Sequence, residues 1–178
     1  MKPEKIILKP VDQLTTDAIG KPGNRVFYVL GQTGKVQAAL IIEKVQLQFL
    51  VQGIDDFFDR ILEKYPHLSQ PQIDFKEKEM QLTPPIEPIF HVGDIEIAYD
   101  DGERLAVMIA KNAYPQLETE PAEVEYWCTL EQLTAFARWG EIVIQRGRPI
   151  CPQCGQPMEE GGHFCPKKNG HKRKKPTA

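Results

Sequence analysis

Along this chain, apolar and polar positions alternate and then switch to a helical period, and they do so twice. In the first stretch, residues 11–65, positions 13–19 and 25–30 read as short strands on either side of Gly20-Lys21-Pro22-Gly23-Asn24. Gly31-Gln32-Thr33-Gly34 then makes a hairpin into a third run, 36–42. From Lys44 the pattern admits two readings. Val45-Gln46-Leu47-Gln48-Phe49 alternates as a strand does, whereas Leu47, Leu50, Val51, Ile54, Phe58, Ile61, Leu62 and Tyr65 recur at helical spacing. Eight helical positions outweigh a five-residue alternation. The spacing therefore predicts one helix from about Lys44 to Tyr65, tolerating Gly53 at about 1 kcal/mol and ending before Pro66.

The second stretch, residues 88–146, repeats the order. Positions 94–99 and 104–110 are strand candidates joined by Asp100-Asp101-Gly102, and 122–128 is a third. Thr129 and Gln132 have the spacing of a capping box. Leu130, Leu133, Phe136, Ala137, Gly140 and Ile144 supply the apolar stripe of a second helix, which Gly147-Arg148-Pro149 ends. The expected fold class is α+β: two βββα units, antiparallel sheet with two helices, in a body over residues 1–148. Its halves lie at about 11–65 and 88–146. The linker 66–88 carries Pro66, Pro71, Pro84, Pro85 and Pro88 and reads as an extended surface connection. Sequence identity between the halves is weak, so the repeat rests on pattern alone.

Composition narrows this only a little. With 178 residues, 41% hydrophobic and 26% charged, the chain fits one ordinary domain and a small appendage. No apolar run is long enough to cross a bilayer, so no membrane role is expected. Ile6-Ile7-Leu8 is too short for a signal peptide, which makes a cytoplasmic location the expectation. Charge is more informative. From Arg146 onward there are eight Lys and Arg against two acids, a net +6; before it there are fourteen against twenty-three, a net −9. A polyanion would meet the C-terminal end first, through Lys167, Lys168, Lys172, Arg173, Lys174 and Lys175. The blander reading of residues 172–178 is a solvated, disordered basic tail.

The densest chemistry lies in residues 149–171, where three of the four cysteines and two of the four histidines fall. Cys151 and Cys154, followed by Gly155, have the spacing of a knuckle that turns both sulfurs toward one point. His163 and Cys165 share a side if the backbone there is extended, and Pro157, Gly161 and Gly162 let the intervening chain fold back. So short a segment has no core to fold it otherwise, and a structural Zn2+ held by four protein ligands is the expected cofactor. His171 is a rival to His163 as the fourth ligand. A Cys151–Cys154 disulfide has no secretory context to support it. A thioredoxin-like pair would need a strand before and a helix after, whereas here a helix precedes and a Gly/Pro-rich stretch follows.

Two blocks of residues resemble a known bacterial family. Gly20-Lys21-Pro22-Gly23-Asn24-Arg25-Val26-Phe27 is similar to its opening motif. Gly147-Arg148-Pro149, Cys151-Pro152, Cys154-Gly155, Pro157, Gly162-His163, Cys165-Pro166 and Asn169-Gly170 are similar to its closing one. The family is domain of unknown function 3090, and the resemblance covers nearly the whole chain. It implies Cys151, Cys154, His163 and Cys165 as the metal set, His171 falling where the family more often has an aromatic. The family's kinase-like and phosphatase-like genomic companions imply a phosphorylated small molecule, but no activity comes with the resemblance. This chain departs from the family in a longer Pro-rich linker and a more basic tail.

Other candidates carry less. Arg25, in the Pro-Gly-Asn-Arg turn, can fork onto a phosphate or pair with a nearby acid. Cys128 reads as a small buried side chain, His67 and His91 as isolated, and Asp55, Asp56 and Asp59 as the solvated face of the first helix. There is no nucleophile elbow or phosphate-cradling glycine loop, so no catalytic residue is assigned. Two functions are in view. One is a non-enzymatic binding or adaptor module that contacts nucleic acid or a protein through the knuckle and basic tail. The other is an enzyme or regulator acting on a phosphorylated metabolite through Arg25 and a groove between the halves.

Overall fold

The computed structural model describes residues 5–115, 121–159 and 161–167. The chain divides into two compact units, Met1–Gln145 and Arg146–Ala178. The first is mixed α+β: β1 (Lys5–Leu8), β2 (Gln13–Lys21), β3 (Asn24–Thr33), β4 (Val36–Ile42), α1 (Lys44–Lys64), α2 (Glu77–Met80), β5 (Pro88–Asp100), β6 (Leu105–Asn112), β7 (Glu123–Cys128) and α3 (Leu130–Gln145). All seven strands join one sheet in the order β1-β7-β6-β5-β4-β3-β2. The expected pair of βββα units is corrected to this larger sheet. The join is made by β5, whose start runs parallel to β4 (Ala39 opposite Pro88, Ile41 opposite His91) before the strand turns to pair antiparallel with β6. Strand β1, which the sequence pattern did not assign, runs parallel to β7.

The turns follow their residues. Pro22-Gly23 closes β2 onto β3 with Lys21 opposite Asn24, and Gly23 takes φ +90, the left-handed value that the third residue of a type II turn requires. The sheet is curled so that its two ends share one connection. Between β1 and β2, the Val11 N–H donates to Trp127 O at 2.8 Å and the Asp12 N–H to Gln32 O at 2.7 Å, one on β7 and one on β3. Inside the curl, Tyr126 of β7 lies over Gly31 of β3 and its hydroxyl donates to Ala38 O at 3.2 Å.

Both long helices start on a glutamine that does two jobs. The Gln46 carboxamide accepts the Glu43 N–H at 2.9 Å and donates to Val92 O and Gly93 O of β5, both at 3.0 Å. Gln132 accepts the Thr129 N–H at 2.9 Å, and the Thr129 hydroxyl accepts the Gln132 N–H at 3.1 Å, so the predicted capping box is present. Gln132 also donates to Val11 O at 3.0 Å. The strand-like alternation at the start of α1 resolves as helix: Leu47 is buried, while Val45 and Phe49 stand in solvent. In α3, Trp139 joins the buried stripe and donates to Thr16 O at 2.6 Å, and Gly140 sits where an added Cβ would come within 2.9 Å of Val51 Cγ2 on α1.

The linker is more than a bare connection. It lies mostly exposed and irregular, as expected, but it also forms α2, buries Met80 and sets Phe75 edge-on to Trp139. It is pinned along the edge strand β2: the Thr15 hydroxyl donates to Met80 O at 2.6 Å, Gln13 to Glu79 O at 2.6 Å, and the Leu82 N–H to Asp17 Oδ2 at 2.9 Å. An exposed strand edge is a template for unwanted pairing, and this cover blunts it. Among the described residues no helix is long and apolar enough to cross a membrane.

Gly53 yields a direct test. A Cβ built there meets nothing within 4 Å, because the residue borders an open groove of about 330 Å³ between α1 and β5. Gly53→Ala should therefore stabilise the protein by about 0.5–1 kcal/mol through helix propensity alone. Chemical denaturation checks this, and an unchanged or lowered midpoint would count against the open site.

Candidate metal centre

The candidate metal centre lies wholly within the second unit, and short-range backbone bonds build it. Ile150 and Pro157 form an antiparallel bridge, with the Met158 N–H donating to Pro149 O at 2.7 Å and the Cys151 N–H to Gln156 O at 2.9 Å. Within that loop the Gly155 N–H returns to Cys151 O at 2.9 Å, with Gly155 at φ +73, a conformation glycine adopts without penalty. A second turn is closed by the Gly162 N–H to Glu159 O at 2.9 Å, and Arg148 Nη1 donates to Glu159 Oε1 at 2.7 Å.

These turns bring Cys151, Cys154, His163 and Cys165 together, with one ligand atom of each within 4.8 Å of every other. The Cys151 and Cys165 sulfurs are 3.8 Å apart, and Cys154 Sγ is 3.0 Å from His163 Nε2. Cys151 and Cys165 are buried; Cys154 and His163 are partly open. All four cysteines of the chain are free thiols. Such a set could hold a metal ion. The rival ligand His171 lies outside the described residues.

Electrostatics favour a thiolate at the first position. The backbone N–H groups of Cys154 and Gln153 point at the Cys151 sulfur and lower its pKa to about 7. Cys154 is the opposite case: a Gln156 N–H pulls its pKa down, but burial and the neighbouring Cys151 and Cys165 outweigh that and leave it above the ordinary thiol value. Because the Cys151 pKa is depressed, its thiolate persists as the pH falls from the ordinary thiol range to about 7 and is lost below that. A bound metal competes with protons for these thiolates, so acidification should release it only well below the Cys151 value of about 7. A chromophoric chelator follows the release as the pH is lowered from about 8 to about 5; release already complete at the upper end would contradict the N–H-stabilised thiolate.

Arg25, the isolated histidines, the helix aspartates and Cys128 fall in the first unit. Arg25 lies over the Phe27 ring at 4.8 Å, and its Nη1 donates to Val143 O at 3.0 Å, one of the last-turn carbonyls of α3 that lack a helical partner. Burial lowers its pKa from the ordinary arginine value. His67 Nε2 is 2.9 Å from Asp101 Oδ1, and His91 is exposed with its ring edge-on to Tyr114. Asp55, expected to be solvated, is bound by Arg138 of α3 at 2.8 Å. Cys128 is fully buried, which pushes its thiol up to about 12. Lys167 is exposed, whereas Lys168, Lys172, Arg173, Lys174 and Lys175 lie outside the described residues. Sequence reasoning did not single out Ile150 and Phe164, which border the ligands and stand 59% and 60% exposed. Their signal was their position, next to and between ligand residues.

Neither a curated protein nor a solved structure matches the chain. One family model does, from β1 through the last of the four clustered residues, taking in His163 and stopping short of His171. Matched over residues 7–165, the chain belongs to the family described as protein of unknown function (DUF3090).

Proposed function

We propose that this protein is a non-enzymatic binding module whose C-terminal unit is held by a structural zinc ion and contacts a polyanion. The observation that carries the reading is the closed four-residue set. Three thiols and an imidazole are the soft and borderline donors that zinc takes in tetrahedral sites, and four protein ligands leave no position for water or substrate. A tetrahedral site with Zn–S bonds of about 2.3 Å has sulfur–sulfur edges of about 3.8 Å, the separation of Cys151 and Cys165. The net +6 from Arg146 onward gives the zinc-held unit its attraction for phosphate, with Lys167 exposed two residues beyond the last ligand.

The test is native mass spectrometry of full-length protein purified without added metal, followed by anisotropy titrations with a short labelled oligonucleotide. One zinc per chain is expected, together with binding that weakens steeply with added salt and disappears on chelation. Protein that carries no metal, or oligonucleotide binding that ignores both salt and chelator, would overturn the reading.

A further inference from the structure

We infer that Phe164 is a stacking platform and that the metal-held unit binds single-stranded nucleic acid through it; this rests on the zinc-held, polyanion-binding module proposed above. The geometry starts with spacing. His163 and Cys165 both turn into the metal set, while the side chain between them stands in solvent. That residue is a phenylalanine, 60% exposed. Ile150, directly before Cys151, is 59% exposed as well. Apolar side chains left in water add no burial energy to this unit, so the Phe164 ring is free to serve as a contact surface.

Charge and size name the occupant. Lys167 follows Cys165 by two residues, and from Arg146 onward basic residues outnumber acids eight to two, whereas the preceding chain is net −9. A phosphate backbone is drawn to this end and repelled by the rest. A stable protein interface needs on the order of 1,000 Å², more than two separate side chains in so small a unit present. One aromatic ring, by contrast, is sufficient to stack one base. In a duplex the base faces are already covered by their neighbours, so only a single strand offers a free face. The metal's part is mechanical: ligands on both sides of Phe164 hold its backbone, so the ring is presented without the entropy cost of ordering a loose loop.

The test uses full-length, metal-loaded protein with short labelled oligo(dT), oligo(U) and a DNA duplex of the same length. Phe164→Ala should weaken single-strand binding by about 5- to 150-fold while leaving metal content unchanged. Phe164→Trp should keep the affinity and acquire an emission that oligo(dT) quenches, beyond any quenching seen in the parent protein. Equal single-strand affinity for Phe164→Ala and the parent protein overturns the stacking role while leaving salt-dependent binding standing, as does a Phe164→Trp emission that single strands leave unchanged. If the metal-loaded parent binds none of the three oligonucleotides, the inference and the polyanion reading fall together, and a protein partner takes their place.

Discussion

Cys165→Ser is expected to abolish stoichiometric metal binding and unfold the C-terminal unit, while the thermal transition of the larger unit stays where it is. The two halves of this expectation have separate physical sources. A serine hydroxyl is a hard donor that does not ionise near neutral pH, so it replaces a thiolate in shape only. In units of this size the metal supplies the folding free energy, and apparent values for structural zinc are about 10–16 kcal/mol. Among its described residues the C-terminal unit has little else: the backbone bonds are a few turn closures, and the buried side chains are Cys151 and Cys165 themselves. The larger unit is built differently. The main cluster of buried apolar side chains, from Leu8 to Val143, lies entirely within residues 1–145 and includes neither Cys151 nor Cys165. Limited trypsin digestion reads both halves at once. New cleavage after Arg146, the Arg148–Pro149 bond being resistant to trypsin, with the larger fragment intact and its melting temperature retained, is the expected pattern. A variant that keeps one zinc per chain would show that Cys165 is dispensable; a variant that melts as a whole would show that the units share their stability.

Much of the body was legible because its elements obey local rules. The 3.6-residue period of α1 and α3, the Thr129/Gln132 box and the Pro22-Gly23 turn all act within a few residues, and their physics is visible in a one-dimensional pattern. What the pattern could not carry is pairing between distant segments. Strand β1 is a four-residue run whose meaning depends on β7, more than a hundred residues away. The proline-rich linker read as surface because Pro signals irregular backbone, but its anchoring, through Met80 O accepting from the Thr15 hydroxyl of β2, is a distant pairing that no local pattern carries. The use of β5 to fuse the sheet likewise passes the strand from β4 at His91 to β6 at Val92, beside an irregularity at Val92–Ile95 that Gly93 marks without revealing the new partner.

The metal set was more legible than the fold around it, for a related reason. Cys, Cys, His and Cys lie within fifteen positions, so the chain is too short to scatter them, and ligand chemistry limits what they do together. Arg25 shows where such reasoning weakens. A turn arginine advertises an anion, but its carbonyl partner, Val143, belongs to a helix end 118 residues further on. Phe164 and Ile150 were passed over because exposure is a property of the folded knuckle, not of the residue type.

Gly31→Val tests the curl of the sheet. A Cβ at Gly31 would lie 2.2 Å from Cδ1 and 2.6 Å from Cε1 of Tyr126, far inside contact distance. The ring cannot swing aside, since Tyr126 is fully buried and its hydroxyl is tied to Ala38 O at 3.2 Å. Nor can Gly31 move freely, because it pairs with Leu14 on one side and Ala38 on the other. Overpacking a filled core costs about 1–3 kcal/mol and sometimes more. With backbone on one side and a pinned ring on the other, this site belongs at or above the top of that range, so the melting temperature should fall by about 10 °C or folding should fail outright. Gly31→Ala, which adds only the clashing carbon, should show the same direction in a milder form. The cause is isolated by pairing Gly31→Ala with Tyr126→Leu, which removes the ring at its own cost. If the clash is the mechanism, the double variant loses less than the sum of the singles, because the leucine leaves room for the new methyl group. Strictly additive losses would mean that Gly31 is needed for its backbone alone, and that the two ends of the sheet come together for some other reason than the seating of Tyr126 on a bare strand.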